Sequence, residues 1–420
     1  MFFIRLSSKW DIFILSLFFS ISFFSTGLAL TLSEALEIVA SHPSILTKQI
    51  IEKQARAASE DAGKRLSDKL LFESEDFSGT LPGFSRSQTT LTFQRPLLDR
   101  KKVDSARTLA LTSIKSTQLD TERTSWEVSN AVQTTFHEVL VLHNLLNVTE
   151  EGVSLAKKLL ELTKTRSEAG AVPESEVLKA ELELNRSLTE NRKLEGQMEQ
   201  GKKALIREMG LESLESFDVV GTLTPDISLP KEGVLSDSLL KFYPELRQLQ
   251  IDKSIAQAKA AHLKTINRPG YSIAGSIRDY RETNDVGFVV GFEVELPNKK
   301  ANSGERLAIA MEGDRIENEK IRLHNELKNS LKESLTRFET NRHIALNLRD
   351  KILPSSKQIL ELALEAYRLG KTNQLLVLDA QKAVIQNRRD YFEALGQMYS
   401  ALDNMEKLCG VCLVNEKHGE

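Results

Sequence analysis

Few side chains in the 420-residue sequence are of a type and spacing that could do chemistry. Cys409 and Cys412 form a C-x-x-C pair. In a redox protein such a pair opens a helix after a strand, where the helix N-terminus lowers the thiol pKa. Here it closes a long helical pattern, so a small local disulfide or two thiols in a frayed tail is expected. His137, Glu138 and His143 come nearest to a ligand set. They lack the i, i+4 spacing that puts two imidazoles on one helix face, so they read as seam or surface positions. A metal-dependent hydrolase would need a carboxylate or His cluster on short loops, and none is visible. No catalytic residue, cofactor or metal site is therefore expected. What remains is charge in ordered places: Glu293 and Glu295 within an apolar alternation, and Glu176 and Asp379 shortly after glycine turns. What these can do depends on the elements that hold them.

At the amino end Arg5 and Lys9 precede an apolar run from Ile12 to Phe24 and the small residues of Ser25-Thr26-Gly27-Leu28-Ala29. That order is a secretory signal peptide, with cleavage expected after Ala29, and the run is shorter than the roughly 20 residues of a membrane helix. No Cys in this region offers a lipid attachment site. Later windows of that length all carry several of the 56 Lys+Arg and 59 Asp+Glu, so any further membrane crossing must use strands. A net charge of -3 points to no nucleic acid, and the mixed signs suit long solvated helices. Only 10 Pro and 21 Gly punctuate the chain, too few for several small domains.

The chain is a duplication. Glu168 to Ala180 can be laid on Arg368 to Ala380, an offset of 370 minus 170, or 200. Without a gap the same offset matches Gly196-Gln197-Met198 with Gly396-Gln397-Met398 and Gly210 with Gly410. Leu32-Ser33-Glu34-Ala35-Leu36 before His42-Pro43 likewise resembles Leu235-Ser236-Asp237-Ser238-Leu239 before Tyr243-Pro244. The expected organisation is a signal peptide over 1–29, repeats over 30–225 and 226–410 that interleave in one body, and a tail over 411–420.

Each repeat reads as helix, strand, strand, very long helix, tight turn, helix. The first helix should run from Leu32 to about Arg65, opened by a Thr31/Glu34 capping box. Strands are expected near Lys69 to Phe77 and Gln88 to Arg95, joined by the loop 78–83. In the second repeat Tyr271, Ile273 and Ile277 alternate with Ser272, Ser276 and Arg278, and Phe288, Val290, Phe292, Val294 and Leu296 with Val289, Gly291, Glu293 and Glu295. Carboxylates cannot face lipid cheaply, so Glu293 and Glu295 are expected to face water in a lumen. Four strands do not close a barrel, so several chains must share one; a soluble sheet with one wet face fits the same alternation.

The helices weigh toward the first alternative. Asp99 to Ala169 holds no Pro and only Gly152, which predicts a rod on the order of 100 Å. Its counterpart, Ala301 to Leu369, should be kinked or interrupted near Pro354. Narrow seams are expected along Val132, Phe136, Val139, His143 and Leu146, and along Leu327, Leu331, Leu335 and Phe338. Gly170 and Gly370 reverse the chain into helices from Pro173 to Met209 and from Thr372 to Leu408. The fold expected is mainly α, two long helical hairpins capped at one end by strands.

Thr31-Leu32-Ser33-Glu34-Ala35-Leu36, Gln94-Arg95-Pro96-Leu97, Glu295-Leu296-Pro297, and Tyr367-Arg368-Leu369-Gly370-Lys371-Thr372-Asn373 through Leu378-Asp379-Ala380-Gln381 together resemble the TolC-type outer-membrane efflux family. The resemblance covers the mature chain. It implies a homotrimer in the bacterial outer membrane, each chain giving four strands to a twelve-stranded barrel and its helices to a periplasmic tunnel. It also implies a periplasmic adaptor and an inner-membrane pump of the resistance-nodulation-division type, with no enzymatic step in the channel. Val294 to Glu305, with Tyr243-Pro244-Glu245-Leu246 before it, is similar to the cobalt-zinc-cadmium branch. It departs from that pattern by one residue fewer before Asn298 and by a missing second Pro-Leu. Antibiotic or organic-solute efflux and type I secretion are the alternative cargo readings, and a soluble periplasmic coiled-coil or adaptor protein is the rival architecture. On the family's pattern, Gly170, Ala171 and Val172 with Leu369, Gly370 and Lys371 are the adaptor-docking tips. The gate is expected at Asp379, with Glu176 as the other candidate.

Overall fold

The computed structural model describes residues 28–64, 67–76, 85–214, 217–296 and 302–410. The expected signal peptide up to residue 27, the loop 78–83 and the tail with Cys412 lie outside them. So do Pro297 to Ala301, the centre of the cobalt-zinc-cadmium resemblance.

The chain enters as strand β1 (Leu28–Leu30), which pairs in parallel with β4 (Phe217–Val219). Three residues are too few to show an alternation, and neither strand is legible in the sequence. The cut expected after Ala29 would leave Leu30 to this ladder, where its carbonyl accepts from Val220 N–H at 2.9 Å. Helix α1 (Leu32–Val39) opens on the expected capping box: Thr31 N–H donates to Glu34 Oε2 at 2.8 Å and Glu34 N–H to Thr31 Oγ1 at 3.4 Å.

The single helix expected from Leu32 to Arg65 is instead two, α1 and α2 (Pro43–Glu60). Pro43 disfavours helical backbone at the residue before it, and His42 is accordingly extended at φ -61, ψ 132. The second repeat breaks in the same way at Pro244, between α5 (Glu232–Phe242) and α6 (Pro244–Ile266).

Strands β2 (Lys69–Glu75), β3 (Gln88–Pro96), β5 (Gly270–Tyr280) and β6 (Asp285–Glu295) form one antiparallel sheet in the order β2-β3-β5-β6. The two repeats therefore meet at β3 and β5. The rods begin immediately beyond. Helix α3 (Arg100–Glu168) is 69 residues long, about 100 Å, and returns as α4 (Glu174–Glu208). The counterpart α7 (Ser303–Asn347) passes through a π-helical turn (Leu348–Ile352) into α8 (Leu353–Arg368), and α9 (Gln374–Cys409) returns.

Near Pro354 the α-helical run of the second rod is interrupted as expected, but only by the π-helical turn, and the helix continues beyond it. The proline ring would clash with the carbonyl four residues back, and one wider turn ahead of it absorbs the misfit: Leu353 N–H bonds Leu348 O, five residues back. No helix among the described residues is long and apolar enough to cross a membrane.

The seams are broader than the sequence suggests. Val132, Phe136 and Val139 are buried as expected, but burial continues through Leu140, Leu145 and Val148 while His143 and Leu146 sit at the margin. Helix α3 touches α4 and α9 at once, so it needs more than one narrow stripe. One core gathers Val132, Phe136 and Val139 with Met198 and Leu205; a second gathers Leu331 and Phe338 with Leu395, Met398 and Leu402. A smaller third, at the turn end, joins Leu159 to Tyr367, Val377 and Val384.

Cys409 belongs to the second core and not to a frayed tail. It is a free, fully buried thiol whose Sγ lies 3.6 Å from Leu235 O. Burial, with Glu406 beside it, pushes its pKa from 9.0 up to about 11. Because folding favours the neutral thiol, its contribution is whole below pH 9 and is lost as pH rises toward 11. In a Cys412→Ser background, iodoacetamide at pH 8 should leave Cys409 unmodified until the protein is denatured. The unfolding midpoint should fall more steeply between pH 9 and 11 than that of the further variant Cys409→Ala.

Candidate functional site

The two ends of the molecule carry different chemistry. At the strand end the register sorts side chains onto two faces, since alternate residues point to opposite sides. Leu70 and Phe72, Leu91 and Phe93, Tyr271, Ile273 and Ile277, and Val286, Phe288, Val290, Phe292 and Val294 share one face. All are exposed, Val290 to 90% and Phe288 to 80%. No described residue covers this apolar surface.

The opposite face is a polar network. Thr92 Oγ1 lies 2.8 Å from Ser276 Oγ, and Arg278 Nε donates to Thr90 Oγ1 at 2.9 Å. Gln94 Nε2 donates to Ser272 Oγ at 2.9 Å, and Ser272 Oγ to Glu293 Oε2 at 2.8 Å; Gln94 also donates directly to Glu293. Glu293 and Glu295 thus lie opposite the apolar face, as the alternation predicts.

The other end is two glycine turns of the same design. Gly170 and Gly370 both have φ +70, a conformation that costs glycine nothing and other residues about 1–2 kcal/mol. Ala171 N–H reaches back to Arg166 O and Lys371 N–H to Ala366 O, each at 2.8 Å, closing the last turn of α3 and of α8 alike. Ala171, Leu369 and Lys371 are exposed and Val172 is half-buried. Pro173 is the cap of α4, just outside the first turn where it was expected. Asn373 caps α9 through a bond from Leu376 N–H at 3.2 Å.

Directly behind the turns, four helices meet in a polar cluster that ties one hairpin to the other. Tyr367 of α8 is 1% exposed, and its hydroxyl donates to Glu176 Oε2 of α4 at 3.0 Å while lying 3.3 Å from Thr163 Oγ1 of α3. Arg166 of α3 donates to Tyr367 O, with its guanidinium carbon 4.3 Å from the centre of the Tyr367 ring. Gln374 of α9 donates to Glu176 O at 2.8 Å, but its Oε1 is buried without a partner. Burial pushes the Tyr367 hydroxyl pKa up, and hydrogen bonding to Thr163 opposes this.

Of the two gate candidates, only Glu176 enters this cluster. Asp379 is exposed and makes no ion pair among the described residues; Val377, Leu378 and Ala380 beside it face the core. Tyr367, Arg166 and Thr163 were not singled out from the sequence, although Tyr367 stands in the motif read as a turn. Partners drawn from four helices leave no spacing to read. His137 is a buried seam residue, bonded to Asp403 of α9.

Residues 51–211 match the family described as "Outer membrane efflux protein". The chain is similar to the cobalt-zinc-cadmium resistance protein CzcC of Cupriavidus metallidurans, 22% identical over 275 residues that cover 66% of each protein. Among solved structures it is similar in fold to CusC, with TM-score 0.75, 14% identity and coverage of 93% of this chain and 96% of that one. It is similar also to the outer membrane protein VceC of Vibrio cholerae, with TM-score 0.71, 15% identity and coverage of 91% and 97%. A membrane protein from Pseudomonas aeruginosa gives TM-score 0.72 at 16% identity, covering 90% of each chain. With a strand sheet at one end, paired rods and glycine-turned tips at the other, this chain shares the fold of these solved outer-membrane channels, and its residues 51–211 match the outer membrane efflux protein family.

Proposed function

We propose that the chain is the outer-membrane channel subunit of a tripartite efflux system, a passive exit duct for an inner-membrane pump. The observation that carries this reading is the sheet: four strands with one exposed face that is apolar through its middle and bordered by Arg95 and Asp279, a polar opposite face and open edges at β2 and β6. Unpaired strand edges are not tolerated in hydrocarbon, so the sheet must close on copies of itself. Three copies supply twelve strands, four from each chain. At 11 residues and a tilt of about 45°, β5 and β6 would cross an apolar band about 25 Å tall.

On this reading Glu293 and Glu295 line the water-filled lumen, and the rods form a periplasmic tunnel. The turns Gly170-Ala171-Val172 and Leu369-Gly370-Lys371 receive an adaptor, with a pump of the resistance-nodulation-division type behind it. Export requires the signal peptide, cut after Ala29. The likeness to CzcC supports heavy-metal cations as cargo. Outer-membrane fractions analysed on unboiled gels should show a trimer; a soluble periplasmic monomer would overturn the reading. Loss of the gene should sensitise cells to Co2+, Zn2+ or Cd2+, and sensitivity to organic solutes alone would reassign the cargo.

The gate is the polar cluster behind the tips. Its bonds join the two hairpins through single hydrogen bonds that can exchange with water, and Gln374 Oε1 would gain a partner on opening. Single-channel recording should therefore show higher resting conductance for Tyr367→Phe and Glu176→Gln. Asp379 forms a carboxylate ring in the trimer, so Asp379→Asn should change cation selectivity or divalent block and leave resting conductance alone. Unchanged conductance in both cluster variants, with a rise in Asp379→Asn, would move the gate to Asp379.

Two further outcomes test the ends. Val290→Lys should cost about 2–4 kcal/mol in barrel stability, measured by denaturant unfolding in lipid, if the site lies at midplane depth. Aqueous thiol reagents should label a Cys at Glu293 and spare one at Phe292. At the tip, Gly370→Leu should assemble as a trimer yet fail to support export, whereas Gly370→Asn, which tolerates positive φ, should retain it.

A further inference from the structure

We infer that the basic run Arg100-Lys101-Lys102, where β3 gives way to α3, binds the phosphate of an anionic glycerophospholipid such as phosphatidylglycerol in the leaflet nearest the rods. The inference rests on the channel reading above, in which the apolar face of the sheet meets lipid. What it adds is a preference for one headgroup charge at one border of that face.

The register builds the border. Leu91, Phe93 and Arg95 of β3 share the apolar face, and Leu97 follows in the same alternation, its N–H still bonded to Tyr271 O at 2.7 Å. Arg95 is the only charge in β3. Its guanidinium carbon lies 5.3 Å from the centre of the Phe93 ring, and it donates to Asp68 at 2.9 Å. Across the sheet Tyr271 stacks on Phe292, ring centres 6.0 Å apart. Aromatic rings and a cationic head beside the last apolar rows are the composition of a membrane–water boundary. Leu97 and Leu98, just beyond Arg95, are 47% and 49% exposed.

An excess of positive charge follows at once. Asp99 accepts from Lys101 N–H and from Arg268 at 2.8 Å, so it is already committed. Asp68 is taken by Arg95, and Asp61 by Lys64 at the end of α2, where Gly63 packs against Val103. Arg100 and Lys101 are exposed and Lys102 is half-buried, and none of the three makes an ion pair among the described residues. Asp104, the next acid along α3, pairs with none of them. Successive helical residues are about 100° apart, so every direction around α3 lies within about 80° of one of these cations. On the channel reading the rods are periplasmic, which makes this leaflet the one whose anionic lipids are glycerophospholipids and not lipid A. Each cation held near an anionic surface strengthens binding about fivefold, so three favour an anionic over a zwitterionic headgroup by up to about a hundredfold.

The test uses the full-length protein purified in detergent, delipidated, mixed with phosphatidylglycerol or phosphatidylcholine and analysed by native mass spectrometry. The unmutated protein should retain phosphatidylglycerol at least about tenfold more strongly. The preference should vanish in the triple variant Arg100→Gln, Lys101→Gln, Lys102→Gln and persist in Lys157→Gln, Lys158→Gln, which removes two exposed cations farther along α3. Raising the salt from about 0.1 M to about 1 M cuts the Debye length from about 10 Å to about 3 Å and should erase the preference in the unmutated protein, a check that needs no variant to fold. Equal retention of the two lipids, or an undiminished preference in the triple variant or at high salt, overturns the site. Stronger retention of lipid A than of phosphatidylglycerol, lost in the triple variant, overturns the choice of leaflet. A trimer that retains both phospholipids equally sinks this inference alone, whereas a soluble monomer sinks the channel reading first.

Discussion

Hydrocarbon offers no partner to a strand's outward-facing N–H and C=O groups, and the architecture follows from that prohibition. Strand β2 and strand β6 each end the sheet with an open edge, and the middle of one face, from Leu70 and Phe93 across to Val290, is apolar and uncovered. A single chain cannot resolve both problems. Closure by copies pairs the edges and turns the apolar face to lipid together. On the proposed closure, the polar network from Thr90 to Glu293 would be enclosed with water, where its carboxylates are cheap. The rods inherit this symmetry, because α3 and α7 begin just past the strand ends.

The long helices are held by two kinds of contact, apolar seams inside each hairpin and polar ties between the hairpins, with different consequences. Apolar seams such as Phe136 with Met198, or Leu331 with Leu395 and Met398, lose roughly 2–5 kcal/mol per truncated side chain and hold for the life of the molecule. The ties behind the tips are hydrogen bonds, each worth about 0.5–1.5 kcal/mol net because water can replace either partner. Placing the weaker kind at the turn end lets that end move while the middle stays packed. The π-helical turn before Pro354 gives α8, and Tyr367 with it, a start separate from α7; α3 has no such interruption.

Burial of polar groups follows the same logic farther up the rods. Asp403, Glu406 and His137 are all nearly inaccessible, and each would be costly alone. Gln133 and His137 lie against the Asp403 carboxylate, and Asn130 donates to the Asp403 backbone carbonyl.

The sequence alone determined whatever is periodic or local. Long runs without Pro, the glycine turns, the Thr31/Glu34 capping box and the alternation around Phe288 to Glu295 each depend on neighbours within a few residues, so helices, turns and strands were legible. The break at His42-Pro43 was equally local and was passed over, because the surrounding composition is so strongly helical. Tertiary structure decided what depends on residues far apart in the chain. The cluster of Thr163, Arg166, Glu176, Tyr367 and Gln374 is assembled from four helices, and His137 meets Asp403 across 266 positions. No spacing within one element records such a meeting, because the packing angle of the rods, not the order of residues along them, sets which side chains face each other.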